Sequence, residues 1–446
     1  MRREAATAIT KTVPVATGSE NVARAGFPSP VFGVHLGARA QKNQESDHVG
    51  VGIGLSIGGN GQRLFTLSAE DGAANSGTAS RNDAVIGAGD QSNSANLLYE
   101  SALTGLTEGG IATDFSNVGT QGDYVSTLFQ EGVAQAELVD ATINGTGTTD
   151  ITTTFQPDAI VCFGNPSAMG GSSNNASMAV SFYGNSSYAS VAAADEHGAS
   201  PSNSDSYSTS TAMIAELDYV ASTPTLQTFT VGSITDTGFT CTKVAGTADA
   251  SVTFLCLKLM GGYSLRVGFA PTPTYLSPHQ RLDTLFPDNE YHASVLFAGA
   301  TTALETVEDD MRFMLGTVAP DGTQSCLSLS AESGVATPNT KSGVYNDRAV
   351  HLMNPSDSAA TVSASFESHS AFSRGTVLTF SRARDPMQLG CLFIGRDKTG
   401  RVGGGHAGTK VMDARTIADK YSQGRPKVAE YEFRHRNFYQ GGDDDG

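Results

Sequence analysis

The sequence predicts an all-β protein of three tandem antiparallel β-sandwich modules, jelly-roll-like in type, followed by a C-terminal helix-plus-strand arm. Composition is the first reason, because 50 of the 446 residues are glycine and only 16% are charged. Small polar residues suit exposed strand faces and tight turns, whereas long amphipathic helices need more Leu, Glu, Lys and Arg. The second reason is an internal repeat whose period is that of a whole domain.

The repeat is clearest in one polar loop, which occurs three times. In chain order the copies read "LSAEDGAANSGTASRN", "SVAAADEHGASPSNSDS" and "LSAESGVATPNTKSG". They align on Glu70, Glu196 and Glu332, which are 126 and 136 positions apart. Because a chain built by repeating one module repeats its loops as well, we expect three copies of one fold.

Other landmarks keep a similar spacing and set the module boundaries. Each module opens near a phenylalanine that a proline follows closely, at Phe27, Phe155 and Phe286. The predicted segments are an N-terminal arm at 1–25, modules at 26–135, 150–262 and 284–396, and a C-terminal assembly arm at 397–446. Three prolines in the second connection stiffen it, so we expect the modules to be held at fixed angles.

The same elements recur in order inside each module. A short apolar strand leads into a hairpin with a Gly/Asn turn, as in "MAVSFYGNSSYASVAA", and the polar loop follows. A short apolar strand and a closing hairpin end the module. The closing hairpin is clearest in "GFTCTKVAGTADASVTFLCLKL", where alternation places Phe239, Cys241 and Lys243 on one face.

The C-terminal arm departs from this pattern. "MDARTIADKYSQG" predicts one short helix that ends at Gly424, and "KVAEYEFRHRNFYQ" predicts a strand. A lone strand can add to the edge of a neighbouring subunit's sheet. The predicted assembly contacts in this strand are Tyr431, Phe433, Arg434, His435, Arg436 and Phe438.

Charge and cysteine content exclude several partners. A net charge of -17 argues against binding a nucleic-acid backbone, which requires clustered basic residues. The five cysteines form no CxxC pair, so neither a zinc site nor a disulfide framework is indicated. Cys241 and Cys256 could face each other across a hairpin, as a disulfide or as two buried thiols. No apolar stretch is long enough to span a membrane.

The repeated acids are the main candidates for catalysis. Glycoside hydrolysis needs two carboxylates roughly 5 to 10 Å apart. We expect Glu70, Glu196 and Glu332 to lie on three separate sandwiches, far from one another, and to have a structural role in their loops. The Ser/Asn/Gly loops could bind a ligand or could simply form turns.

Motifs for other chemistry were sought in the glycine- and serine-rich stretches. "GIGLSIGGNG" has no GxGxxG and no helix is predicted after it, and the sequence has no GK[ST]. "GGYS" and "GNSS" are not GxSxG elbows, and the sequence has no HExxH pair. The terminal acids Asp443 to Asp445 lack the alternating spacing of a calcium loop. The sequence therefore predicts a protein that is not an enzyme, with no catalytic residue, no metal ligand and no cofactor.

A resemblance to a known family is carried by two stretches. "TGTTDITTTFQPDAIVCFG" and "SITDTGFTCTKVAGTADASVTFLCLKL" resemble the opening and the closing hairpin of a β-sandwich module found in tailed-bacteriophage virion proteins. The resemblance covers the middle module and supplies no catalytic residues. It implies a virion structural protein, made in the host cytoplasm, that forms a homo-oligomer with other virion proteins as partners.

The position in the particle is left open by the resemblance, which fits an external capsid or a tail component. The alternative is a tail-fibre or tail-tip adsorption protein that binds host surface glycans. Exposed aromatic side chains beside the loops would favour that alternative, and Tyr188 and Tyr207 are the candidates.

Overall fold

The computed structural model of the chain consists of antiparallel sheets, which confirms the all-β fold class. It describes residues 6–397, apart from residues 74, 91–92, 120–121, 131, 165–167, 273–279, 282–288, 300–302, 357–359, 361, 370–375 and 384–386. In this part of the chain the single helical element is a 3-10 turn, Gly58–Asn60. No described helix has the length and hydropathy needed to cross a membrane.

Module 1 contains ten strands. They are β1 (Ala6–Thr12), β2 (Gly18–Ala23), β3 (Phe32–Ala38), β4 (Val49–Ile57), β5 (Gly61–Ala69), β6 (Ser76–Arg81), β7 (Ile86–Asp90), β8 (Asn93–Thr107), β9 (Gly110–Val118) and β10 (Asp123–Phe129). Six form a wide sheet in the order β1-β10-β3-β4-β5-β6, and four form a narrow sheet in the order β2-β9-β8-β7.

Module 2 repeats this plan with one added short strand, β14. Its strands are β11 (Val133–Ile143), β12 (Thr148–Thr152), β13 (Ala159–Gly164), β14 (Ser172–Ser173), β15 (Ala176–Gly184), β16 (Ser187–Asp195), β17 (Ser204–Thr209), β18 (Met213–Val220), β19 (Thr223–Thr235), β20 (Gly238–Ala245) and β21 (Ala250–Leu259). The wide sheet is β11-β21-β13-β15-β16-β17, and the narrow sheet is β12-β20-β19-β18.

Module 3 has the same plan again, with β25 as its added strand. Its strands are β22 (Tyr263–Pro271), β23 (Gln280–Arg281), β24 (Asn289–Gly299), β25 (Val307–Asp309), β26 (Met311–Val318), β27 (Gln324–Ala331), β28 (Thr340–Tyr345), β29 (Val350–Leu352), β30 (Val362–His369), β31 (Thr376–Ala383) and β32 (Gln388–Asp397). The wide sheet is β22-β32-β24-β26-β27-β28, and the narrow sheet is β23-β31-β30-β29.

Each wide sheet is buried on both faces. Its inner face packs on the narrow sheet of the same module, around Tyr99 in module 1, Phe254 in module 2 and Phe393 in module 3. Its outer face packs against the other two modules in one shared apolar core. Strands buried on both faces carry nearly continuous runs of apolar and small residues. The strands β3, β4 and β10 are buried along their whole length.

Aromatic pairs mark the shared core between modules. Phe65 of β5 stacks on Phe163 of β13, with ring centroids 5.3 Å apart. Phe182 of β15 contacts Phe297 of β24, with centroids 4.6 Å apart. The modules therefore hold one another through a common interior.

Glycines allow the two sheets of module 1 to approach closely. In β4, a Cβ added to Gly52 would lie 2.1 Å from the Gly87 carbonyl oxygen, and one added to Gly54 would lie 1.6 Å from that of Val85. Real Cβ atoms do not approach backbone this closely, so both positions require glycine. The Gly/apolar alternation of β4 thus places glycine toward the narrow sheet and apolar side chains in the shared core.

Short strands close the three modules into a ring. β14 of module 2 pairs with β6 of module 1, and β25 of module 3 pairs with β17 of module 2. The third contact is a bridge between Ser46 of module 1 and Ser342 of module 3. These head-to-tail contacts are equivalent and close after three modules, as heterologous interfaces do in cyclic assemblies. We name them the 1–2, 2–3 and 3–1 interfaces.

The structure corrects the predicted boundaries at the start of each module. Within the N-terminal arm predicted at 1–25, β1 and β2 belong to module 1, since they pair with β10 and β9. The first strands of modules 2 and 3, β11 and β22, lie in stretches predicted as connections between the modules at 26–135, 150–262 and 284–396. β11 has only a weak alternation of burial because it is an edge strand of its sheet.

One further expectation meets a different outcome, and another lies outside the described residues. Four consecutive main strands share the wide sheet and three share the narrow sheet, so the topology is dominated by hairpins instead of the double Greek key of a jelly roll. The C-terminal arm at 397–446 lies outside the described residues, apart from Asp397 at the end of β32.

Candidate functional site

The repeated glutamates begin three loops of the same construction, which we call the glutamate loops: residues 70–75, 196–203 and 332–339. In each, an asparagine side chain donates a hydrogen bond to the glutamate carboxylate at 2.5 Å. The pairs are Asn75 with Glu70, Asn203 with Glu196, and Asn339 with Glu332. A glycine with φ between 73° and 77° follows two residues after each glutamate, at Gly72, Gly198 and Gly334. The repeated carboxylates therefore fix the shape of their own loops.

The residue after each glutamate binds the next module in the ring. Its side chain accepts a hydrogen bond from the first backbone N–H of a wide-sheet strand in that module. The donor and acceptor pairs are Thr340 N to Asp71 Oδ1 (2.9 Å), Ser76 N to His197 Nδ1 (3.1 Å) and Ser204 N to Ser333 Oγ (3.2 Å). The same inter-module hydrogen bond is thus accepted by a carboxylate, an imidazole and a hydroxyl at the three interfaces.

A hydroxyl two residues further along the same strand makes a second equivalent contact. It accepts a backbone N–H from the neighbouring module and donates to a carbonyl oxygen of that module. At the 1–2 interface, Thr78 Oγ1 accepts from Ser177 N (2.7 Å) and donates to Asn175 O (3.0 Å). At the other two, Ser206 Oγ lies between Arg312 N (2.8 Å) and Asp310 O (2.8 Å), and Ser342 Oγ lies between Gly50 N (3.3 Å) and His48 O (2.7 Å).

The glutamate loops also contact one another, which corrects the expectation that they lie far apart. Gly72 N donates to Pro338 O at 2.8 Å, and Gly334 N donates to Ser202 O at 2.7 Å. The wide sheets that carry the loops share one core, and this brings the three loops together. Each glutamate nevertheless keeps its own asparagine partner. The modules are joined by the loop backbone and by the residue after each glutamate.

One of the three equivalent strand ends carries a buried carboxyl. Asp195 ends β16 and is 6% exposed, whereas the equivalent ends of β5 and β27 are Ala69 and Ala331. Ser204 Oγ donates to Asp195 Oδ1 at 2.5 Å. Burial raises the pKa of Asp195 to about 7, against hydrogen bonds from Ser204 and Ser76, and the charge of Glu196 adds to the rise.

Two cavities lie at the junction of modules 1 and 2. The first, of about 210 Å³, has Phe65, Phe163 and Met169 in its lining and Asp140 among its polar groups. Arg63 binds the Asp140 carboxylate through two hydrogen bonds of 2.9 and 2.6 Å, so this acid is already paired. The second, of about 300 Å³, is lined by Val31, Leu106 and Phe155 with their neighbours.

Of the two candidate sugar-binding aromatics, Tyr188 is half-buried and Tyr207 is buried. The Tyr188 hydroxyl accepts from Val231 N at 3.0 Å, and its ring packs on Tyr183 at 5.0 Å. Tyr207 is 9% exposed and donates its hydroxyl to Glu305 at 2.9 Å. Both hydroxyls therefore have partners within the fold, and the Tyr207 ring is buried.

Cysteine and histidine side chains are structural where they are described. All five cysteines are buried and free, which includes Cys241 and Cys256. Buried His35 lies between Ser126 Oγ (2.8 Å) and Ser56 Oγ (2.9 Å), and burial lowers its pKa to about 3. Within residues 6–397, where described, no His, Cys, Asp and Glu side chains form a group of three suited to a metal ion.

The predicted assembly contacts Tyr431, Phe433, Arg434, His435, Arg436 and Phe438 all lie outside the described residues. The inter-module hydroxyls were not predicted from the sequence. The available signal was their spacing, since Thr78, Ser206 and Ser342 recur 128 and 136 positions apart, close to the spacing of the glutamates.

Comparison with known proteins adds no family assignment. No family model matches the chain, and no curated protein matches it.

Proposed function

We propose that the protein is a non-enzymatic structural component of a tailed-bacteriophage virion, on the outside of the capsid or in the tail, and that it assembles as a symmetric oligomer. The observation that carries the proposal is the use of the repeated loop. Side chains that would make a catalytic or sugar-binding loop instead bond one module to the next at all three interfaces.

The ring of modules supports a role as building material. Each wide sheet is covered on both faces, and each interface repeats the same backbone and hydroxyl bonds. A chain built in this way presents three similar outer surfaces around one axis, as a homotrimer would. It therefore suits a position in a particle where the neighbours have threefold symmetry. The resemblance of the middle module to virion sandwiches supplies the biological setting.

Quantitative protein analysis of purified virions tests the virion role. We expect the chain in the particles, at hundreds of copies for a head coat or tail shaft and at about a dozen or fewer for a tail tip. Absence of the chain from particles purified to constant composition would reject the role. Glycan-array binding by a tail-tip protein at low copy number would instead favour the adsorption function.

Truncation tests the assembly part of the proposal. Deletion of residues 425–446 removes the predicted C-terminal strand, and we expect the oligomer to be lost while the thermal unfolding of the chain is unchanged. Light scattering after size-exclusion chromatography measures the mass. An oligomer of unchanged size in the truncated chain would show that this strand is not the assembly contact.

A further inference from the structure

Three polar side chains lie in a row across the narrow sheet of module 2. Glu216 of β18 is directly opposite Gln227 of β19, and Lys243 of β20 is opposite Phe229, two residues from Gln227. Residues two apart on a strand share a face. Phe229 lies in the core of module 2, so this face is the inner face of the sheet.

The contacts within this row place an amine against a side-chain amide. Lys243 Nζ donates to Gln227 Oε1 at 2.6 Å, and Gln227 Nε2 donates to Glu216 Oε2. Lys243 Nζ also donates to the Ala248 carbonyl oxygen at 3.1 Å, which orients the amine from the other side. Gln227 is only 7% exposed. The Lys243 amine is therefore held against the amide of Gln227, one bond away from its carbonyl carbon, and the amide itself is shielded from water. Holding two reacting groups together in this way favours their reaction.

The surroundings favour the uncharged forms of both flanking groups. Burial raises the pKa of Glu216 to about 7, and the charge of Asp218 adds to the rise, against Gln227 and Lys243. Burial also lowers the pKa of Lys243, against the charges of Glu216 and Asp249. A neutral amine is the nucleophilic form of lysine, and a carboxyl that titrates near neutrality can give and take protons.

We propose that Lys243 and Gln227 become joined by an intramolecular isopeptide bond, with Glu216 as the acid–base group. The Lys243 ammonium releases one proton to water, and the free Nζ attacks Cδ of Gln227. The Nζ–Cδ bond forms and the Cδ–Nε2 bond breaks. Glu216, which accepts the hydrogen bond from Nε2, gives the proton of its neutral form to the leaving nitrogen, which departs as ammonia. The second amine proton is released to water, from which Glu216 regains its own. The exchange of one amide for another needs no oxidant and no added reactant.

The bond would connect β19 and β20 at the end of their hairpin. It would close a loop between residues 16 positions apart and fix the register of two strands that already pair. A covalent link of this kind stabilises a fold by restricting the unfolded chain. The proposal concerns module 2 alone and does not depend on the virion role.

Intact mass spectrometry of the purified full chain tests the proposal, because loss of ammonia lowers the mass by about 17 Da. We expect this deficit after incubation at neutral pH, together with a cross-linked proteolytic peptide that contains both Gln227 and Lys243. A full chain at its calculated mass, without the cross-linked peptide, overturns the proposal whatever the variants do.

Three variants separate this reaction from other losses of ammonia. Lys243→Arg and Glu216→Gln should each restore the calculated mass, whereas Lys258→Arg, in the same module, should keep the deficit. Succinimide formation at Asn60 or Asn144, each of which precedes glycine, also removes ammonia. A deficit that persists in Lys243→Arg would assign the loss to such a site and reject the isopeptide bond. Circular dichroism of each variant verifies that the sheets are retained.

Discussion

The end of β16 in module 2 and the ends of β5 and β27 in modules 1 and 3 occupy equivalent places but differ in one side chain. Ala69 and Ala331 lie in the shared apolar core, whereas module 2 has the carboxyl of Asp195 there. The hydrogen bonds around the three positions are otherwise alike. The comparison teaches that one of three equivalent strand ends can acquire sensitivity to pH through a single residue, while the frame of the ring stays the same.

The direction of this sensitivity follows from the pKa of Asp195. Its pKa is about 7 in the fold and 3.8 ordinarily, so the folded chain retains a proton that the unfolded chain releases between these values. Stability therefore decreases as pH rises from about 4 to 7 and changes no further above that window. A difference of this size between the folded and unfolded pKa corresponds to about 4 kcal/mol at most. The groups around Asp195 are Ser204, Ser76 and Glu196, and the charge of Asp195 also acts on Tyr219.

Moving the carboxyl to another interface should have the largest effect. Ala331→Asp places an acid in the shared core beside the 2–3 interface, where the native side chain is a methyl group in apolar surroundings. We expect a loss of several kcal/mol in the free energy of unfolding at pH 8, and a smaller loss at pH 5, where the carboxyl is protonated. Urea unfolding at both pH values measures the difference. Equal losses at the two pH values would mean that size, not charge, limits this position.

Removing the native carboxyl should have the next largest effect. Asp195→Ala gives module 2 the residue found in modules 1 and 3, and we expect it to raise the free energy of unfolding at pH 8 by about 2 to 4 kcal/mol relative to the native chain. The gain should shrink toward zero at pH 4. Unfolding free energies across this range measure it. A gain independent of pH would contradict an ionisable origin.

Deleting the inter-module hydroxyls should cost less, and by a similar amount at each interface. Thr78→Val, Ser206→Ala and Ser342→Ala each leave a backbone N–H and a carbonyl oxygen without their partner, so we expect losses of about 1 to 3 kcal/mol. Chemical unfolding of the three variants measures the losses. Ser19→Ala is the control, because that hydroxyl is exposed and its bond to Asp114 is 3.4 Å long. A loss confined to one variant would show that the interfaces are not equivalent.

The repeat and the all-β class could be predicted from the sequence because both depend on patterns of residues that are close together along the chain. Turn glycines, alternating strands and the copied loop are visible without a structure. The function of Glu70, Glu196 and Glu332 within their own loops was also predicted, and the asparagine bonds agree with it. The asparagine in each loop was part of the same copied signal.

The ring of modules could not be predicted, because the strands that form its core show only one apolar face in the sequence. In β4 the glycines that meet the narrow sheet leave only one visibly apolar face, so the burial of both faces is hidden. The first strand of each module was missed for a related reason, since edge strands such as β11 alternate weakly. Long-range closure between Ser46 and Ser342 has no local signature at all.

Hydrogen exchange at three equivalent amides tests the closed ring most directly. Gly50, Ser177 and Arg312 each donate their backbone N–H to a hydroxyl of the neighbouring module. Two of these interfaces join modules that follow each other in the chain, whereas the 3–1 interface, at Gly50, depends on folding alone. At pH 6 we expect protection factors within about tenfold of one another, as for one cooperative unit. An unprotected Gly50 beside protected Ser177 and Arg312 would show that the ring is open and would contradict the account.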